Sequence, residues 1–243
     1  MPTLENAVQD ILKAQKNSRK QLAIVLAGHN GSGKSTMWYK RLANTIQIPL
    51  INADRMMMSI LPQVEHGQRL PAWASELRDK DEAWMGVAQK GVESFVAQAM
   101  LGKVPFATET VFSYWKALGG GKFASKVDLI REMQKQEYFV VLLFVGLSSS
   151  QLSIGRVATR VAEGGHAVDA KKLHDRFPRT QKAINQAIHV ADAAILTDNS
   201  RAQRSAFTVS QIRQGAKVIF DIRTARKRPP KEVLAWLDIV DPI

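Results

Sequence analysis

Short apolar runs alternate with longer stretches of helical periodicity along this chain. The runs 22–27, 49–52, 104–108, 139–145, 193–197 and 217–221 are brief and mostly apolar, as strands buried on both faces of a parallel sheet are. Between them, Leu4, Val8 and Leu12 mark an N-terminal helix within 1–20. Trp84, Ala88, Val92, Phe95 and Ala99 mark a second, which Gly102 ends and which packs on the sheet. The serines 148–150 can cap a third helix with Leu152, Val157 and Val161 on its apolar side and Arg156 and Arg160 one turn apart. A loop, GGHAVD, follows it, and Pro178 is expected to end or kink the helix that begins near Ala170. Glycines 119–121 predict a flexible turn, and RKRPPK at 226–231 an exposed basic connection to a last short helix with Trp236. Trp38, Trp73, Trp84, Trp115 and Trp236 read as core or interface residues. Strands alternating with helices predict an α/β fold, a mostly parallel central sheet flanked by helices, in a single domain over 1–243.

Composition narrows the chemistry. The chain has no cysteine, which removes disulfides, thiol nucleophiles and thiolate zinc sites. Its longest apolar stretch, 139–147, is too short to cross a bilayer as a helix, and Glu5 and Asp10 near the start do not resemble a secretory signal. A cytoplasmic protein without membrane contact is the expectation. The formal charge of +12 favours a polyanionic partner, whether a nucleic acid, a nucleotide substrate or an acidic protein.

The segment AGHNGSGKST carries Gly28, Gly33, Lys34 and Ser35 at the spacing of a phosphate-binding P-loop, directly after an apolar strand and before a helical stretch. In such a loop the backbone of Gly28, His29, Asn30, Gly31, Ser32 and Gly33 curls so that successive N–H groups face phosphate oxygens, at the positive end of the next helix dipole. Lys34 neutralises the β- and γ-phosphates, Ser35 offers its hydroxyl to magnesium, and Thr36 reaches the α-phosphate. ATP and Mg2+ are thus the expected cofactors, on a three-layer P-loop NTPase-type fold.

A P-loop alone does not select a reaction. Asp54 follows a short strand, at the sheet edge where ligands gather, and there it either orients a nucleophilic hydroxyl or caps a helix. Thr108, Glu109 and Thr110 end the next strand likewise, where a carboxylate holds acceptor hydroxyls, assists the metal shell or serves as a cap. The run FVVLLFVGLSSS ends without the aspartate of a Walker B strand.

Together, AGHNGSGKST, NAD at 52–54, TET at 108–110, RVATRVAEGGHAV at 156–168, RFPRT at 176–180 and DNS at 198–200 resemble the zeta toxin family, over most of the chain and in the family's order. The resemblance implies a P-loop kinase that phosphorylates the 3′-hydroxyl of UDP-N-acetylglucosamine. It implies Lys34 and Ser35 on ATP and magnesium, Asp54 as base, and Glu109 and Thr110 on the sugar acceptor. Arg160 matches the first of two arginines that gather the transferring phosphate, with Arg156 beside it; Arg176, Arg179 or His166 supplies the second. Guanidinium forks suit that task because they meet two equatorial oxygens at once. The segment 148–190 is then a lid-like helical region. Asp198 and Asn199 either contact the adenine side of ATP or form an Asx turn.

The resemblance also implies an acidic antitoxin as protein partner. A kinase with another acceptor (a nucleoside, NAD or a polynucleotide end) uses the same parts. A nucleic-acid-binding ATPase is the reading from another class, motivated by the charge and by RKRPPK, although the basic residues are scattered.

Overall fold

The computed structural model describes residues 1–64, 68–120 and 122–242; Gly121 of the expected glycine turn lies outside them. Helix α1 (Leu4–Ser18) leads into β1 (Gln21–Gly28), and the phosphate loop then opens a helix built of α2 (Lys34–Met37), a π-helical turn (Trp38–Leu42) and α3 (Ala43–Ile46). Strand β2 (Leu50–Ile51) is followed by α4 (Ala53–Ser59), α5 (Ala72–Asp79) and α6 (Glu82–Leu101) before β3 (Phe106–Thr110). A hairpin of β4 (Trp115–Gly119) and β5 (Lys122–Ser125) precedes α7 (Val127–Lys135) and β6 (Tyr138–Gly146). The chain continues through α8 (Ser150–Ala162), α9 (Ala170–Val190) and β7 (Ala193–Asp198), and then β8 (Thr208–Gln214), β9 (Lys217–Asp221) and α10 (Lys231–Val240).

Seven strands form one sheet in the order β2-β3-β1-β6-β7-β8-β9. The first five run parallel, and β8 and β9 extend the edge antiparallel. Alternation along β1 splits the core into two layers. Ala23, Val25 and Ala27 face a cluster with Ile130 and Met133 of α7, Ile184 and Ile188 of α9, and Trp236 of α10. Leu22, Ile24 and Leu26 face Leu4, Val8 and Ile11 of α1 together with Met37, Trp38 and Leu42 behind the phosphate loop. A smaller cluster of Met57, Leu61, Ala74 and Ala88 holds the helices between β2 and β3 to one another. Sheet and helices therefore make the three-layer α/β arrangement expected of the sequence, with the parallel strand ends at one edge. Among the described residues no helix is long and apolar enough to cross a membrane.

Several elements differ from expectation. Helix α9 runs unbroken from Ala170 to Val190 with Pro178 inside it; the missing proline N–H costs one backbone hydrogen bond, while neighbours such as Phe177, Thr180 and Ile184 are buried and hold the helix together. Helix α6 forms, but Trp84 and Phe95 are 40% and 59% exposed, and its buried side runs through Ala88 and Val96. That helix is apolar on more than one face, so periodicity alone does not choose the buried one. Trp73 is likewise exposed, whereas Trp38 and Trp236 are fully buried. Strand β8 escapes the pattern because Ser210, Gln211 and Arg213 are buried in it, with Asp221 and Asp241 as hydrogen-bond partners of the last two.

Candidate active site

The phosphate loop leaves the C-terminal end of β1 in a conformation that demands glycine. Gly28, Gly31 and Gly33 have φ of 155°, 67° and 91°, and a Cβ on Gly28 would stand 2.7 Å from both Ser32 Oγ and the Val145 carbonyl. Ser153 Oγ on α8 donates to the Asn30 carbonyl at 2.7 Å, and Asn199 Nδ2 after β7 donates to the Ser32 carbonyl at 2.8 Å. These two bonds brace the loop from outside through its carbonyls. Ser32 Oγ is buried without a hydrogen-bond partner among the described residues.

Lys34 is buried, and its ammonium folds back onto the carbonyls of Gly28 at 3.0 Å and His29 at 3.1 Å. Burial pulls its pKa down, against the opposing pull of the Glu109 and Asp54 carboxylates. The His29 side chain turns away from the loop mouth. It stacks on Phe177 of α9 at 3.8 Å between centroids, and burial lowers its pKa to about 3, so it is neutral.

Glu109 ends up against the phosphate loop. Ser35 Oγ donates to its two oxygens at 3.1 and 3.0 Å, Asn52 Nδ2 donates to one at 2.5 Å, and Lys34 Nζ lies 3.8 Å away. This carboxylate, on the strand beside β1, faces the hydroxyl that a P-loop offers to magnesium. Among the described residues no group of three or more His, Asp or Glu could hold a metal ion alone. The hard oxygens of Ser35 and Glu109 nevertheless fit Mg2+, which commonly takes one or two protein oxygens and completes its shell with phosphate and water.

Asp54 lies in the first turn of α4, but Asn52 caps that helix, accepting from Arg55 N at 3.0 Å. The cap role that Asp54 shares with any such aspartate is thus taken by its neighbour. Asp54 instead lines a cavity of about 670 Å³, together with Lys34, Ser35, Thr36, Glu109, Thr110, Arg156, Arg160 and Arg176. Val92, Val96, Met100, Phe112 and Leu129 add apolar side chains to the lining of the same cavity. Phe112 reaches it by a positive φ of 63°, its N–H donating to Thr110 Oγ1 at 3.1 Å.

The arginines come from α8 and α9. Arg156 packs against the loop, where a Cβ on Gly31 would stand 3.1 Å from its own Cβ; burial lowers its pKa, partly offset by Asp198. Arg160 Nη2 donates to the His166 carbonyl at 2.8 Å, and its Nε is buried without a hydrogen-bond partner among the described residues. Two expected site residues are not brought together with the rest. Arg179 is exposed and bonds the Asp175 carbonyl of its own helix. The His166 ring pairs with Asp79 at 2.8 Å and lines a second cavity of about 250 Å³, which shares Asp54 and Arg160 with the first. Asp198 accepts from Trp236 Nε1 at 3.0 Å and from Ser200 Oγ at 2.6 Å, so within the DNS segment Asn199 is the residue that braces the loop, at Ser32.

Asn52 and Ser153 went unassigned in the sequence, although Asn52 stands in the NAD motif quoted there. Ser153 carries no sequence signal; only the crossing of α8 over the loop makes it a brace.

Sheet order, glycine cradle and strand-end carboxylates define a P-loop α/β protein. No protein-family model matches the sequence, and no curated protein matches it. Solved structures do. A structure from the PezAT chromosomal toxin-antitoxin system of Streptococcus pneumoniae superposes with a TM-score of 0.55 at 12% identity, covering 98% of this chain and 88% of that one. The AvrRxo1-ORF1:AvrRxo1-ORF2 structure with sulphate ions gives a TM-score of 0.60 at 13% identity, over 97% of this chain and 70% of that one. The AvrRxo1-ORF1:-ORF2 structure with ATP gives 0.54 at 12% identity, over 97% and 69%. The shared feature at these identities is the fold, the α/β arrangement with a parallel sheet that the sequence pattern anticipated.

Proposed function

We propose that this chain is an ATP-dependent phosphotransferase that moves the γ-phosphoryl group to an alcohol of a small molecule, with the 3′-hydroxyl of UDP-N-acetylglucosamine as acceptor. The observation that carries the reading is a single cavity in which the phosphate loop, a strand-end carboxylate and three arginines face one another. An ATP-bound neighbour of the same fold supports the nucleotide assignment.

The loop amides and Lys34 hold the triphosphate, Lys34 exchanging its two carbonyl partners for phosphate oxygens. Ser35 and Glu109 would hold magnesium, which would supply charge neutralisation at the phosphate oxygens. Asp54 accepts or orients the proton of the acceptor hydroxyl as that oxygen attacks phosphorus. Arg156, Arg160 and Arg176 meet the charge that spreads over the equatorial oxygens in transfer. Neighbours solved from a toxin-antitoxin system and as a two-protein complex, with the net charge of +12, support an acidic antitoxin as partner.

Incubation with MgATP and a panel of acceptors tests the reading. Phosphorylated UDP-N-acetylglucosamine is the expected product. Transfer to a nucleoside, NAD or a polynucleotide end instead would keep the kinase and replace its substrate. ATP hydrolysis stimulated by nucleic acid, with no phosphorylated acceptor, would overturn the kinase in favour of a nucleic-acid-dependent ATPase.

A further inference from the structure

Arg160 enters the cavity from the last turn of α8, and a long flexible side chain there needs something to aim it. The loop that follows supplies the near contact. It turns back sharply after Gly164, with Gly165 N donating to the Arg160 carbonyl at 2.8 Å. A Cβ on Gly165 would stand 2.5 Å from Arg160 Cγ. The loop backbone therefore lies directly on the arginine's stem, and its next carbonyl, that of His166, accepts from Nη2 at 2.8 Å.

What holds this loop is an ion pair from another part of the chain. Arg78 and Asp79, at the end of α5, join in a fork of 2.8 Å (Nε to Oδ1) and 2.9 Å (Nη2 to Oδ2). Arg78 is buried, and it donates to the carbonyls of Gly164 at 2.7 Å and Gly165 at 3.2 Å. Asp79 Oδ1 accepts from the His166 ring at 2.8 Å and from Ala167 N at 3.2 Å. Burial alone would raise the Asp79 pKa, but hydrogen bonds from Arg78, His166 and Ala167 outweigh it and keep the carboxylate charged. Four consecutive loop residues are thus gripped by two side chains.

A buried ion pair is a weak device for stability, since desolvating both charges offsets most of their attraction; its better-attested use is to fix one geometry. Every contact here converges on the loop that steers Arg160. Arg78, Gly164, Gly165 and His166 also wall the second cavity beside Asp54 and Arg160, so the grip sits next to the reacting end of the main cleft.

We propose that Arg78 and Asp79 are positioning residues for phosphoryl transfer: they clamp the 164–167 loop, and through the His166 carbonyl they aim Arg160 at the transferring phosphate. The clamp rests on the phosphotransferase reading above. It also links the end of α5 to an arginine of α8.

The test is a double-mutant cycle on ATP consumption with UDP-N-acetylglucosamine, using Asp79→Asn and Arg160→Lys, with melting curves as the folding control. Asp79→Asn keeps volume and one acceptor oxygen, and Arg160→Lys keeps the positive charge. Asp79→Asn should lower kcat about ten- to hundredfold, since misplacing a catalytic group by about 1 Å costs about that much, with the KM for ATP unchanged. In the Arg160→Lys background the same change should cost nothing further. An equal loss in both backgrounds, or wild-type kcat with Asp79→Asn, overturns the clamp. A wild-type chain that transfers phosphate to no acceptor overturns the kinase reading instead. Hydrogen exchange then decides the clamp alone: faster exchange at 164–167 in Asp79→Asn upholds it, and unchanged exchange overturns it.

Discussion

Replacing Glu109 with Gln separates two roles that the sequence left together. The substitution keeps the shape of a side chain that receives Ser35 Oγ and Asn52 Nδ2 but removes a charge 3.8 Å from Lys34 Nζ, where both side chains are about 10% exposed. At an effective dielectric of about 20, that separation corresponds to about 4 kcal/mol between unit charges. A magnesium ion held by Ser35 and Glu109 would lose attraction of similar size, and with screening by the triphosphate about 3 kcal/mol of it is on the order of a hundredfold in affinity. Calorimetric titration of ATP with and without Mg2+ reads this directly. In the wild type, Mg2+ should tighten ATP binding; in Glu109→Gln most of that tightening should disappear, while metal-free ATP binds more tightly because a repelling carboxylate is gone. Wild-type tightening by Mg2+ together with a raised acceptor KM would refute the metal role and return Glu109 to the acceptor contact that family resemblance implies.

Two further perturbations test the frame that holds the site. Gly146→Ala would drive a Cβ to 2.5 Å from the Trp236 ring, where α10 seals the sheet, and should cost about 1–3 kcal/mol in denaturant unfolding; an unchanged midpoint would show that the ring moves aside freely. His29 has a folded pKa of about 3, below the ordinary value of about 6.5, so the unfolded chain binds the proton more readily. Its contribution is complete above about pH 6.5 and is lost as pH falls toward about 3, at about 1.4 kcal/mol per pH unit. His29→Phe keeps the stack on Phe177 and should flatten the stability curve between pH 6.5 and 5 by about one proton; an unaltered slope would show that the ring already takes up a proton in the fold.

The fold was legible where a local rule and a tertiary demand coincide. The phosphate loop is one such place: only glycine tolerates the φ of Gly28 next to the Val145 carbonyl, so the loop announces itself in composition. Buried parallel strands such as β6 announce themselves by unbroken apolar runs. The polar strand β8 does not, because its buried Gln211 and Arg213 are satisfied by Asp221 and Asp241 from later in the chain. The exposed face of α6 and the intact helix through Pro178 were hidden for the same reason: packing against distant elements, not local periodicity, decides them. Within the site, Lys34, Ser35, Asp54 and Glu109 could be chosen by spacing and strand ends. Arg78 and Asp79 could not, since their meaning depends on a loop that approaches from 86 or more residues away.

The central claim is that the carboxylate of Asp54 acts on an acceptor hydroxyl facing an ATP held by the phosphate loop. Its most direct test compares the wild type with Asp54→Asn in a cell metabolite extract supplied with MgATP, read by mass spectrometry, alongside ATP affinity. The account predicts one metabolite that gains a phosphoryl group with the wild type and not with Asp54→Asn, at nearly equal ATP affinity. The same phosphorylated metabolite formed at equal rate by both proteins would contradict it.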